Sequence, residues 1–267
     1  MTSSPPVFNE PCLVVVTGAS RGYGLALAKQ MISNVGDRST VVMISRNEEK
    51  LRAAHEQAVA AVQQRNIDVR KTTADLSVVA DVSKAVSRAL DGLDVGVFTK
   101  AFLFNNAASL GDVTKTFDAL TEPAEVQAYM NLNVVSCMLV TNAFLKRLRG
   151  GTPKTTHVVN VSSLYVLEPK RGNSLYCTGK AARDMMFRVL ALERPDLRVL
   201  NWAPGPMPTD MINELMVNRH DEELIGGLKK MVADGSIVKC DESAGKLVGF
   251  LGADEFVSGS HVDYFDV

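Results

Sequence analysis

Tyr176 and Lys180 stand four residues apart, and on a helix that spacing puts both side chains on one face. A lysine beside a tyrosine favours the phenolate and lowers the phenol pKa from its usual value of about 10. Tyr176 could then give or take a proton near neutral pH. Ser163 precedes the pair at the end of the apolar run Val158-Val-Asn-Val-Ser-Ser163. It is placed to hydrogen-bond a substrate carbonyl and fix it for attack. By itself a tyrosine–lysine pair of this kind also fits a chance pairing on a helix surface, so its meaning depends on the rest of the chain.

A second group of residues suits a dinucleotide. Thr17-Gly-Ala-Ser-Arg-Gly-Tyr-Gly24 follows the apolar run 12–16 and opens a segment of helical character. Gly18, Gly22 and Gly24 allow a tight turn and close approach of backbone to a ligand, with Ser20, Arg21 and Tyr23 between them. The helix start presents free N–H groups and a positive dipole end to a pyrophosphate. In such folds an acidic residue at the end of the second strand usually holds the ribose 2′-hydroxyl of NAD. Here that place reads Ile44-Ser-Arg-Asn47, with Arg46 where a carboxylate would stand. Arg46 and Arg21 converging on one point suit a 2′-phosphate, so NADP(H) is the expected cofactor, with Asn47 beside it. Glu48 and Glu49 read as first-turn helix residues. Asp75 and Leu76 end the third run and are expected to face the adenine, although Asp75 equally suits a helix N-cap. Asn106, in Asn105-Asn-Ala-Ala108, lies where small residues would let the cofactor meet the backbone.

Such residues need a scaffold that brings distant segments together. Short β-rich runs at 12–16, 40–44, 68–72, 101–104, 157–161 and 197–201 alternate with helical segments at 23–35, 48–65, 78–90, 122–148 and 175–193. Several runs are apolar throughout, as strands buried on both faces should be. The alternation predicts an α/β fold: a single Rossmann-type, doubly wound parallel sheet with helices on both faces. Residues 1–10 read as a loose tail and 11–267 as one domain. The segment 204–236 has no strand and opens on Pro-Gly-Pro, which predicts a lid over the site or, more plainly, two surface helices. Met207, Thr209, Asp210 and Met211 in this lid are expected against the cofactor, and Gly205 against the substrate. Met207, Met211 and Trp202 would suit a flat ring.

The 267 residues are 46% hydrophobic and 22% charged, which excludes a disordered chain. With a net charge of −1 there is no bulk attraction to nucleic acid or an anionic membrane, and neither is an expected partner. No apolar run in the sequence approaches the length of a membrane span. Cys12, Cys137, Cys177 and Cys240 have no paired spacing, and His55, His157, His220 and His261 share no ligand spacing with them. They read as reduced thiols, with no metal site expected. No signal peptide or lipidation motif is evident, and a cytoplasmic location is expected.

Taken together, TGxxxGxG at 17–24, the Asn-Asn-Ala at 105–107, Ser163 and YxxxK at 176–180 resemble the short-chain dehydrogenase/reductase family over nearly all of residues 12–265. The resemblance implies a catalytic set of Asn133, Ser163, Tyr176 and Lys180, with Asn131 an alternative reading of the first. In the family this asparagine props a kinked helix and holds a water that relays protons to the lysine. Ala108 departs from the family's usual glycine.

Within the family, the chain resembles enzymes that reduce side-chain ketones of pterins with NADPH. The resemblance rests on Ser109-Leu-Gly-Asp-Val113, Tyr176-Cys-Thr-Gly-Lys-Ala-Ala-Arg-Asp-Met185, Asn201-Trp-Ala-Pro-Gly-Pro206 and the ending Ser258-Gly-Ser-His-Val-Asp-Tyr-Phe-Asp266. It implies a pterin partner anchored by Asp263, with Ser163 and Tyr176 on the ketone oxygen. A pterin presents an amino group beside a ring N–H, and a carboxylate accepts two parallel hydrogen bonds from such an edge. Asp263 paired with protein N–H groups is the plainer alternative. The family commonly pairs through the two long helices, so a homodimer is expected. Reduction of another carbonyl, in a steroid, a quinone or an acyl-carrier thioester, stays open, as does a non-catalytic NADP-binding role.

Overall fold

The computed structural model describes residues 7–62, 65–149 and 153–267. In chain order the elements are β1 (Cys12–Thr17), α1 (Gly22–Asn34), β2 (Ser39–Ser45), α2 (Glu48–Val62), β3 (Ile67–Thr73), α3 (Val79–Ala89) and β4 (Lys100–Asn105). There follow α4 (Pro123–Met130), a π-helical turn at Asn131–Val135, α5 (Ser136–Leu148), β5 (Thr155–Val161), α6 (Ser174–Glu193) and β6 (Leu197–Ala203). The chain ends with α7 (Asp210–Leu215), α8 (Glu222–Ala233), α9 (Cys240–Ala253) and β7 (His261–Asp263). The seven strands form one parallel sheet in the order β3-β2-β1-β4-β5-β6-β7.

β1 shows why the sheet sits in the middle. Val14 and Val16 pack with Leu27 and Met31 of α1 and Leu247 of α9 on one face. Leu13 and Val15 pack with Val82 of α3, Phe144 of α5 and Phe187 of α6 on the other. All four valines and leucines are fully buried, so each alternate side chain contributes roughly 1.5–3 kcal/mol of apolar burial to its own layer. A strand polar on one face could not serve both layers.

Several details differ from the sequence expectation. β7 is an additional strand of three residues, paired only to β6. Its sequence His-Val-Asp is too short and too polar to read as a strand. The helix α9 fills the face beside α1. Part of the expected tail lies outside the described residues. Of the rest, Phe8 is 2% exposed, packs 4.8 Å from the Phe102 ring and donates its N–H to Asn34 O. The run Pro123–Leu148 does have the length and composition to cross a membrane. Its Val140, Phe144 and Leu148 are instead buried against the sheet, so it is a core helix of this fold.

Candidate active site

The strands' carboxyl ends open into a cleft of about 1430 Å³. The residues singled out for cofactor or substrate line it, from Gly18 and Arg46 to Tyr176 and Asp263, with the exception of Trp202. Asn133 also lies behind the wall.

The glycine loop is held by steric need. Gly18 and Gly22 have φ of +68° and +53°, a region costly for residues with a Cβ. A Cβ on Gly24 would collide with the Gly18 carbonyl and come within 2.6 Å of Asn106 Nδ2. Asn106 itself donates to Thr17 O at 2.9 Å, tying the loop to the end of β4. No side chain caps the N-terminus of α1, so its first N–H groups point to the cleft as an anion site. Tyr23 lines the cleft, but its side chain is buried in the core, where Trp202 Nε1 donates to its hydroxyl at 2.9 Å. Trp202 is fully buried in the core and cannot meet a substrate ring.

At the end of β2, Ser45 Oγ donates to Ser20 Oγ at 2.8 Å, and Arg46 and Lys50 both reach the cleft. Lys50 was not singled out from sequence; its place one turn into α2 was the available signal. Asn47 caps α2, accepting from Lys50 N at 2.8 Å. Asp75 accepts from Ser77 N and Oγ at 2.9 and 2.7 Å, forming a turn ahead of α3 and not capping it. Those bonds, with Arg46 nearby, hold its carboxyl below the ordinary range. Arg21 is paired with Asp210 of the lid, so it is shared between the lid and any phosphate. Both ends of that pair are half exposed, which makes it a weak tie.

The segment 204–236 folds as α7 and α8 over the cleft. Leu215, Ile225 and Leu228 cluster with Leu110, Val113 and the ring of Tyr176. Asn218 Nδ2 donates to Arg171 O at 2.8 Å, and His220 Nε2 lies 2.8 Å from Thr114 O. The lid is therefore tied to both neighbouring loops.

Ser163 and Tyr176 face each other across the cleft floor. Ser163 Oγ accepts from Tyr165 N at 3.2 Å. Burial pushes the Tyr176 phenol up, while the Ser163 hydroxyl and the Arg183 guanidinium pull it the other way. Lys180 lies beside it on the same helix face, as the spacing predicts. Its Nζ donates to Val161 O at 2.5 Å and sits 5.6 Å from the Tyr176 ring centre. Burial, with Arg183 nearby, pushes Lys180 well below the ordinary lysine range. Asn133 lies in the π-turn, where Oδ1 accepts from Ser109 N at 2.8 Å and Nδ2 donates to Ser109 Oγ and Tyr129 O. It holds the loop after β4 by side-chain bonds. Asn131 turns to Gln127 instead. Ala108 meets no backbone penalty, since the described non-glycine residues with positive φ are Arg38 and Asp254.

Arg183 and Asp184, like Lys50, carry no role in the sequence reading. Arg183 is fully buried; Nε donates to Asn160 Oδ1 at 2.8 Å, and the two terminal nitrogens to Ala107 O and Asn105 O. Positions 176, 180, 183 and 184 share one helix face, so two charges on an inward stripe were the available signal. Asp263 accepts from Phe265 N at 3.0 Å, so one of its oxygens is engaged by backbone. Among the described residues no three His, Cys, Asp or Glu side chains form a metal-binding group.

The sheet order, the glycine turn and the Ser–Tyr–Lys face define a dinucleotide-dependent oxidoreductase site. The profile of the short chain dehydrogenase family matches residues 12–220, and the chain belongs to that family. Among its relatives, sepiapterin reductase of Mus musculus is 41% identical over 94% of this chain and 96% of its own. Sepiapterin reductase of Xenopus laevis is 42% identical over 95% of each. The structure of L-sorbose reductase from Gluconobacter frateurii shares the fold, with a TM-score of 0.77 at 21% identity over 96% of each chain.

Proposed function

We propose that this protein is an NADPH-dependent reductase of pterin side-chain ketones, sepiapterin and 6-pyruvoyl tetrahydropterin among them, acting in tetrahydrobiopterin synthesis. The observation that carries the reading is the cleft that holds Ser163 and Tyr176 together with a carboxylate, Asp263, on the wall formed by β7. The relatives named sepiapterin reductase support the choice of ketone.

Bound NADPH would supply the hydride for the carbonyl carbon. The 2′-phosphate fits Arg46, Lys50 and Arg21, and the pyrophosphate fits the uncapped start of α1. Ser163 and Tyr176 hold the ketone oxygen, and the Tyr176 O–H gives it a proton as negative charge develops there. Asp263 accepts from the amino and ring N–H edge of the pterin. The lid cluster of Leu215, Ile225 and Leu228 keeps water from the Tyr176 ring. Mixing the protein with NADPH and sepiapterin should consume absorbance at the nicotinamide band; no consumption with sepiapterin alongside turnover of a small diketone would reject the pterin reading.

Met138, Met185, Val189 and Leu192 stay exposed on α5 and α6. This apolar surface supports pairing of two copies through those helices, as in many members of the family. The four cysteines are free, which suits a reducing compartment, and we place the protein in the cytoplasm.

A further inference from the structure

A row of polar side chains crosses the sheet beneath the site. Asn105 of β4 is in register with Asn160 of β5, Asn160 with Asn201 of β6, and Asn201 with His261 of β7. The three asparagines are 2% exposed or less. Asn160 Nδ2 donates to Asn201 Oδ1 at 2.9 Å and to Asp184 Oδ1 at 3.2 Å. Ser162 Oγ donates to the same Asp184 oxygen. The other oxygen, Oδ2, meets His261 Nδ1 at 2.5 Å.

Buried polar groups of this kind are retained only when satisfied, and here one aspartate of α6 satisfies strands β5 and β7 together. His261 Nε2 is buried without a partner. The tautomer that carries its hydrogen on Nδ1 leaves only a lone pair there, which costs less than an orphaned N–H. That hydrogen is then committed to Asp184.

β7 needs such a tie. It is three residues long, lies at the sheet edge and pairs with β6 alone. Asp263 lies two residues beyond His261, so both side chains leave the strand on the same face. Ser163 follows Ser162, and Lys180 and Tyr176 lie on the helix that carries Asp184.

We propose that the Asp184–His261 pair is a positioning device that sets how far Asp263 stands from Ser163 and Tyr176. His261 and Asp184 are thus positioning residues that match the site to the length of its substrate. This rests on the pterin role of Asp263.

The test compares His261→Asn, His261→Gln and His261→Leu. The asparagine amide nitrogen overlays Nδ1, whereas that of glutamine overlays Nε2. Two readouts are taken: hydrogen exchange of residues 261–267, and KM and kcat with sepiapterin and with 2,3-butanedione. His261→Leu and His261→Gln should speed exchange at 261–267 and raise KM for sepiapterin about tenfold, with kcat within about twofold. KM for butanedione should not move, and His261→Asn should stay within about threefold of wild type on every measure. Unchanged exchange in His261→Gln, an Asn variant as impaired as the Gln variant, or equal losses on both ketones would overturn the device. If His261→Leu fails to fold, the Asn and Gln pair decides alone. A wild-type protein that ignores sepiapterin but reduces butanedione would reject the pterin reading instead, and the exchange comparison would still judge the tie.

Discussion

Lys180 Nζ donates to the carbonyl of Val161 at 2.5 Å, at the end of the strand that leads to Ser163. The lysine therefore joins α6 to β5 beneath the site. The Ser163 hydroxyl and the Arg183 guanidinium both pull the buried phenol downward. Burial still dominates and keeps Tyr176 protonated, as a proton donor must be. Tyr176→Phe should lower kcat by about a thousandfold while NADPH affinity, read by fluorescence titration, changes less than about twofold. A variant with near-normal turnover would remove Tyr176 from the proton step.

Arg46 stands at the end of β2 with Lys50 beside it in the cleft. Arg46→Asp exchanges a phosphate-binding cation for a repelling anion. NADPH affinity should fall by about a hundredfold and NADH affinity by much less. Equal losses for both cofactors would show that the pocket does not read the 2′-phosphate.

Asp263 faces the cleft with one oxygen held by Phe265 N–H. Asp263→Asn presents an N–H where the pterin edge also donates. KM for sepiapterin should rise about tenfold or more, while a small diketone that cannot reach Asp263 should be reduced as before.

Gly24 has no room for a side chain beside Gly18 and Asn106. Gly24→Ala should push the glycine loop out of place. An at least tenfold loss of NADPH affinity, with a lowered Tm, is expected from calorimetry and a thermal melt. Normal cofactor affinity would mean that the loop does not hold the pyrophosphate.

His157 is 1% exposed, stacks on Phe102 at 4.8 Å and has its pKa pushed down to about 4 by burial. The unfolded chain binds a proton near pH 6.5, so between pH 6.5 and 4 it holds more protons than the folded protein. Stability therefore falls as pH drops through that window, by about 3 kcal/mol from this group at pH 4. His157→Phe keeps the ring stack and removes the titration. Denaturant unfolding at pH 7 and pH 5 should show a smaller loss for the variant; equal losses would assign the acid sensitivity elsewhere.

Much of this protein is written in local pattern. β1, β2 and β4 are continuous apolar runs because parallel strands are buried on both faces, and such runs are visible without a structure. The glycine turn, Ser163 and the Tyr176–Lys180 spacing are likewise local, since each depends on a few neighbouring residues. Partnership is a different matter. Lys180 could not be assigned to Val161, nor Arg183 to Asn105, from spacing, because those contacts join segments that only the sheet order makes neighbours. Nor could Trp202 be separated from the site, because its side chain leaves the sheet on the face covered by Tyr23 and α9. Local sequence determined which groups could do chemistry and which elements carry them. Tertiary packing decided their charges, their partners and the distance across the cleft, because burial and long-range hydrogen bonds arise only when distant segments meet.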